Sequence, residues 1–217
     1  MVVTVDGPSG AGKSTVSKEA ARLAGLPHLD TGAFYRAAAL AVLRAAADPS
    51  DEAEAERVVA EATFEQVDGV MYLNGEDVSV ETRSEAVTTA VSQVSAHPGV
   101  RRLMVELQRA WADRHDRRAV IEGRDIGSVV FPAAALKIYL DASPEVRARR
   151  RALDDGADPR AVLADQTRRD RLDSTRRASP LTVPEGAVVI DTSDLTFDEV
   201  VAEVLHLIDP AHHRRGG

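Results

Sequence analysis

The 217-residue chain contains no cysteine, which excludes disulfides, thiolate metal sites and thiol catalysis together and agrees with a reducing compartment. Lysine is almost as scarce. Lys13, Lys18 and Lys137 are the only ones, so 24 of the 27 basic residues are arginine. A guanine- and cytosine-rich genome would raise arginine everywhere; it would not gather arginines between Arg147 and Arg177. Long apolar runs are missing too, because Arg, Asp or Glu interrupts every stretch before the roughly 18 residues that a membrane helix needs. The start at Met1 lacks the basic region, apolar run and small-residue cleavage site of a secretory signal. A cytoplasmic globular protein with no membrane partner is the expectation. The formal net charge of −8 argues against a generic nucleic-acid or anionic-membrane surface. No repeat of 20–50 residues is evident.

What the chain does have is a regular alternation of short apolar runs with helical patterns. Val2–Val5 reads as a buried strand, followed by a Gly/Pro/Ser-rich turn and a helix reaching Ala24, the opening unit of a parallel α/β fold. Leu26–Leu29 is a candidate second strand, Phe34–Ala47 an Ala-rich helix, and Asp51–Ala60 a helix with acidic residues in its first turn. From Thr63 to Val80 the texture changes: Asp68-Gly69 and Asn74-Gly75 favour tight hairpins and predict a small antiparallel excursion. Helices are predicted over Glu81–Val94 and Pro98–Trp111. Strands follow at Ala119–Ile121 and Leu136–Leu140, then helices from Pro144 to about Asp154 and over Pro159–Thr175. A last strand, Ala187–Ile190, precedes a helix with one apolar face from Phe197 to Ile208.

Gly7-Pro8-Ser9-Gly10-Ala11-Gly12-Lys13-Ser14 fits the Walker A pattern completely, and a chance match in a chain this long is on the order of 1 %. Its context, after a strand and opening a helix, is the one the mechanism requires. Glycines let successive backbone N–H groups point inward around a phosphate, and the helix N-terminus adds its positive end. Lys13 reaches the β- and γ-phosphates, and the Ser14 hydroxyl suits Mg²⁺. A nucleoside triphosphate site follows.

A hydrolytic switch needs a switch segment and a placed water, whereas a phosphotransferase needs a second pocket holding an acceptor in line. Separate arginine-bearing segments favour the second, since phosphoryl transfer is mostly positioning and electrostatics. Arg36 lies near Asp30 and Thr31 at a helix start, where Thr31 is either a helix cap or a ligand and Arg36–Asp30 either an ion pair or a substrate contact. Arg124 and Asp125 follow a buried strand, at the end of the sheet where ligands sit; a structural pair between them is the alternative. Arg169, Asp173 and Arg176, spaced by four and three, share a helix face.

Together these segments resemble the bacterial cytidylate kinases, P-loop nucleoside monophosphate kinases, over Val2 to Ile208. The resemblance rests on Asp6–Ser14, Leu29–Arg36, Ser92-Gln93-Val94, His97–Arg101, Gly123–Gly127 with Val130-Phe131-Pro132, and Arg169-Asp170 with Asp173, Arg176, Pro180 and Leu181. It implies a three-layer P-loop NTPase fold with a parallel central sheet, an inserted monophosphate-binding region and a lid. The core would be about 1–60, 91–150 and 168–209, the insert about 61–90, the lid about 151–167 and a flexible tail 210–217. ATP would be held by Gly7, Pro8, Ser9, Gly10, Ala11, Gly12, Lys13, Ser14 and Thr15, with Arg147 and Arg150 at the base of the lid. Thr31, Arg36, Arg101 and Arg124 would hold the acceptor phosphate, with Asp125 beside them. Ser92, Asp173 and Arg176 would recognise cytosine and sugar, with Arg169 near the ribose. Lys13, Arg124 and Arg169 would neutralise the transferring group. Mg²⁺ would be held by Ser14, with Asp30 orienting it through water.

Departures from the family pattern are few. Thr31 stands where many relatives carry serine, Glu122 where some carry aspartate, and Leu172 where some carry arginine. The implied reaction is ATP with CMP or dCMP giving ADP with CDP or dCDP, by a monomer that binds no nucleic acid. Kinases of the same fold acting on UMP, dTMP or shikimate are the nearest rivals; a weakly hydrolysing regulatory module is the rival from another class.

Overall fold

The computed structural model describes residues 1–175 and 179–208. Arg176 and the tail 210–217 lie outside the described residues, as do the side chains of Arg169 and Asp173. The chain forms two compact units, Met1–His28 with Arg117–Gly217, and Leu29–Asp116.

The first unit is built on a parallel sheet. Strand β1 (Val2–Asp6) pairs in parallel with β6 (Ala119–Glu122) on one side and β7 (Leu136–Asp141) on the other, and β7 pairs in parallel with β8 (Val188–Asp191). With β2 (His28–Asp30), where the two units meet in sequence, the order is β2-β6-β1-β7-β8. All of β1 is buried, including Thr4 and Asp6, as a central strand covered on both faces is. Helices α1 (Lys13–Ala24) and α8 (Phe197–Ile208) supply Val16, Ala20, Val200 and Val204 to one core with Val3, Val5, Ile138 and Leu140. Helix α6 (Pro144–Asp155) starts at the Ser143 cap and stops at Gly156, whose φ of 65° is left-handed; it packs along α7 (Pro159–Thr175). One element has no counterpart in the sequence reading: a π-helical turn at Ile126–Val130.

The second unit contains α2 (Thr31–Arg44), α3 (Glu52–Glu61), a three-stranded sheet of β3 (Phe64–Val67), β4 (Val70–Leu73) and β5 (Glu76–Asp77), then α4 (Glu85–Val94) and α5 (Pro98–Arg114). Neighbouring strands run antiparallel. Asp68-Gly69 and Asn74-Gly75 both take positive φ, the backbone that tight hairpins demand. Arg44 forks between Glu76 and Glu81, tying the end of α2 to β5 and the turn after it.

Three boundaries differ from expectation for identifiable reasons. The Ala-rich helix begins at Thr31, not Phe34, because the Asp30 side chain accepts from the Ala33 N–H at 3.0 Å; Asp30, not Thr31, is the cap. It ends at Arg44 because Ala46 takes a φ of 52°. The single helix predicted over 81–94 is a short 3₁₀ turn, Glu81–Arg83, followed by α4, because extended Ser84 interrupts it and caps the second piece.

Candidate active site

In the first unit, β1 delivers Asp6 into the glycine loop. Gly7, Gly10 and Gly12 have φ of 149°, 80° and 80°, conformations that side chains resist. A Cβ on Gly7 would lie 2.0 Å from the carbonyl oxygen of Leu140, so the loop can lie against β7 only with glycine there. Lys13 opens α1 and donates to the Pro8 carbonyl at 2.7 Å, folding its ammonium back over the loop it belongs to. Ser14 is exposed and Thr15 donates to the Gly12 carbonyl at 3.0 Å.

Arg147 of α6 is buried and holds the loop from behind. It donates to Ser9 O at 2.8 Å and Ala142 O at 3.0 Å, and pairs with Asp170 of α7 at 2.6 Å. The second oxygen of Asp170 faces Arg124 at 3.8 Å. Two arginines from separate segments thus converge on one carboxylate beside the phosphate loop. Buried Gln166 of α7 donates to Arg147 O at 3.5 Å and reaches Gly10, where an added Cβ would meet its amide nitrogen at 2.7 Å. Arg150 is engaged elsewhere, by Thr192 Oγ1 at 2.9 Å and by the carbonyls of Thr192 and Leu195.

The Asp6 carboxylate is buried, and its two oxygens accept from Ile126 N at 2.8 Å and Gly127 N at 2.7 Å. Burial pushes its pKa up to about 6, against those two amides and Lys13, which favour the anion; the Asp125 charge adds to the rise. Glu122, at the end of β6, is buried 3.7 Å from His28.

In the second unit, buried Thr31 opens α2 and Arg36 lies one turn on. Arg36 pairs with Asp30 at 2.9 Å, and its Nε is buried without a hydrogen-bond partner. Gly32 makes room for this: a Cβ there would lie 3.0 Å from both Arg36 Nη1 and Asp30 Oδ1. Both oxygens of Asp30, expected to orient Mg²⁺ through water, are therefore engaged by Ala33 N and Arg36. Arg101 of α5 is buried, donates to Ser95 O at 3.0 Å and lies 5.1 Å from the Tyr35 ring centroid, a cation–π arrangement. It is positioned by close docking of α5 on α3, where Gly99 donates to Glu52 and leaves room for Glu56. Ser92 of α4 is half-buried.

The glycine loop, Arg36, Arg101, Arg124 and Arg147 were singled out from the sequence; the contacts of Asp6, Gln166 and Asp170 were not. Asp6 closes β1, but the amides it binds lie 120 residues away in sequence. Nothing in the sequence marked Gln166.

A left-handed glycine loop between a central parallel strand and a helix, with Lys13 and Ser14 at the junction, defines a P-loop nucleotide-binding protein of the parallel α/β class. Shikimate kinase from Bacteroides thetaiotaomicron shares the fold, with a TM-score of 0.50 at 16 % identity over 96 % of this chain and 98 % of that one. The sequence model of the family described as cytidylate kinase matches residues 3–210. This chain is 51 % identical to the cytidylate kinase of Nocardia farcinica, over 96 % of its own length and 93 % of that protein. It is 52 % identical to that of Mycolicibacterium paratuberculosis, over 96 % and 95 %. The chain belongs to the cytidylate kinase family.

Proposed function

We propose that this chain transfers the γ-phosphoryl group of ATP to CMP or dCMP, giving ADP and CDP or dCDP. The observation that carries the proposal is the near full-length match to the cytidylate kinase family, joined to a phosphate loop whose geometry suits a triphosphate. An oxygen of the acceptor phosphate attacks the γ-phosphorus and the bond to the β–γ bridging oxygen breaks, so no side chain need act as nucleophile. The protein aligns the two nucleotides and neutralises their charge.

Lys13 exchanges the Pro8 carbonyl for phosphate oxygens, a stronger acceptor for its ammonium. Thr31, Arg36, Arg101 and Arg124 hold the acceptor phosphate, with Asp125 beside them. Arg36 brings a buried Nε that lacks a partner, a donor ready for an anion. Arg147 fixes the loop backbone through Ser9 O, which makes it a support for the ATP site; Arg150 belongs to the base of the lid. Ser92, Asp173 and Arg176 read cytosine, and Arg169 the ribose and transferring charge. The monophosphate-binding insert is proposed at about 61–90 and the lid at about 151–167.

The available donors suit Mg²⁺, a hard cation that keeps waters and leans on phosphates. Ser14 offers an exposed hydroxyl at the start of α1, and no cluster of three acidic or imidazole side chains occurs among the described residues. When bound with ATP, Mg²⁺ supplies charge neutralisation on the phosphates. Among the described residues no helix is long and apolar enough to cross a membrane; the cytoplasmic location is expected from composition and the monomer from the resemblance.

ADP formation measured against CMP, dCMP, UMP, dTMP and shikimate, with and without Mg²⁺, tests the reading. Turnover should require Mg²⁺ and a cytidine monophosphate. ADP released at the same rate without acceptor would make the chain a hydrolase instead.

A further inference from the structure

Arg124 and Asp125 sit between two anchors, and both anchors are β1. Upstream, Gly123 N donates to Val5 O at 3.0 Å. Downstream, the consecutive N–H groups of Ile126 and Gly127 donate one to each oxygen of the Asp6 carboxylate, at 2.8 and 2.7 Å, across 120 residues of sequence. The π turn that begins there has no cap of its own, since Asp125 makes no side-chain cap bond. Its later bonds, Val129 N and Val130 N to Asp125 O and Phe131 N to Ile126 O, leave those first amides to be satisfied from outside. Asp6 fills that need. The fit is close: a Cβ on Gly127 would lie 2.8 Å from Thr4 Oγ1, 3.1 Å from Asp6 Oδ2 and 3.1 Å from Pro184 Cγ. Asp6 is also the residue immediately before Gly7, where the phosphate loop starts.

We propose that Asp6 is a positioning residue that fixes the segment carrying Arg124 relative to the phosphate loop, acting as a cap in trans for the 126–130 turn. One carboxylate thereby sets the distance between two parts of the phosphate-binding machinery that lie far apart in sequence. This rests on the phosphotransfer reading for its catalytic consequence, though not for the clamp itself. Asp6 need not touch either nucleotide. Its influence passes through the backbone of 124–127.

Asp6→Asn tests this, because the amide keeps the shape but presents an N–H₂ group to one of two N–H donors. Hydrogen exchange without ligand should speed up in 123–131 while α1 keeps its protection. With substrates, kcat/KM for CMP should fall roughly 10- to 100-fold while the dissociation constant for ATP stays within about threefold. In an Arg124→Ala background Asp6→Asn should cost little more, because the group it positions is gone. Gly127→Ala, which crowds the same clamp and leaves the carboxylate in place, should reproduce the pattern if Asp6→Asn fails to fold. Unchanged exchange in 123–131 overturns the clamp. So do losses that multiply independently with Arg124→Ala, or an ATP affinity that falls in step with CMP use. If the unmodified protein does not phosphorylate CMP, the proposed function fails, and the exchange measurement alone decides the clamp.

Discussion

At Asp6, burial and hydrogen bonding pull the proton in opposite directions. Burial wins, raising the pKa from 3.8 to about 6. The folded protein therefore holds this proton more tightly than the unfolded chain does. The stabilisation that the proton contributes is complete below about pH 4 and is lost as pH rises through about 6, up to roughly 3 kcal/mol for a two-unit shift. Unfolding free energies of the wild type and Asp6→Asn, measured in urea from pH 4 to 7.5, should show the difference between them moving in the variant's favour as pH rises. A difference flat across that window would mean that the carboxylate is as well solvated as in the unfolded chain. Much of the site was legible residue by residue because a phosphate loop is a local object: its glycines, Lys13 and Ser14 are neighbours in sequence. Asp6 and Asp170 were not, because their roles come from partners such as Gly127 and Arg147 that only the fold brings near.

Among the elements, α6 and α7 pack along each other, with Arg147 of α6 paired to Asp170 of α7. Arg147 donates to three acceptors, Ser9 O, Ala142 O and Asp170, of which only the last lies in α7. Arg147→Met keeps the length and apolar stem but abandons all three acceptors. It should destabilise the fold by about 2–4 kcal/mol and weaken ATP binding, read by thermal denaturation and by titration with ATP. An ATP affinity equal to the wild type in a folded variant would show that the Ser9 carbonyl needs no support. Element types followed from periodicity, and the two left-handed hairpin dipeptides marked the turns of the small sheet. Boundaries were less legible where side chains compete with the backbone: Asp30 starts α2 early and Ser84 splits the 81–94 segment. The π turn at 126–130 left no periodic trace, since its first amides are satisfied from Asp6.

In the whole molecule, the contact-defined units divide at Leu29 and Asp116. No change in composition marks either point. Leu29 lies inside a strand, and the division reflects pairings that no local pattern carries. One unit is continuous in sequence and the other is made of two pieces. Strand β1, at the centre of the parallel sheet, pairs Val3 with Val120 and with Leu136. During synthesis it therefore emerges with neither neighbour, and at roughly 5–20 residues per second it waits several seconds or more for them. Apart from Leu29 and Asp30, which belong to β2 beside β6, the 29–116 unit is continuous and is made before 117–208. In ribosome-stalled chains long enough to bring residue 116 out of the exit tunnel while β7 is still inside it, protease protection should cover 29–116 before it covers 1–28. Simultaneous protection of both would imply that β1 finds a temporary partner. The loop that grips the nucleotide is among the first segments to leave the ribosome, and it must wait for more than half the chain before it can take its shape.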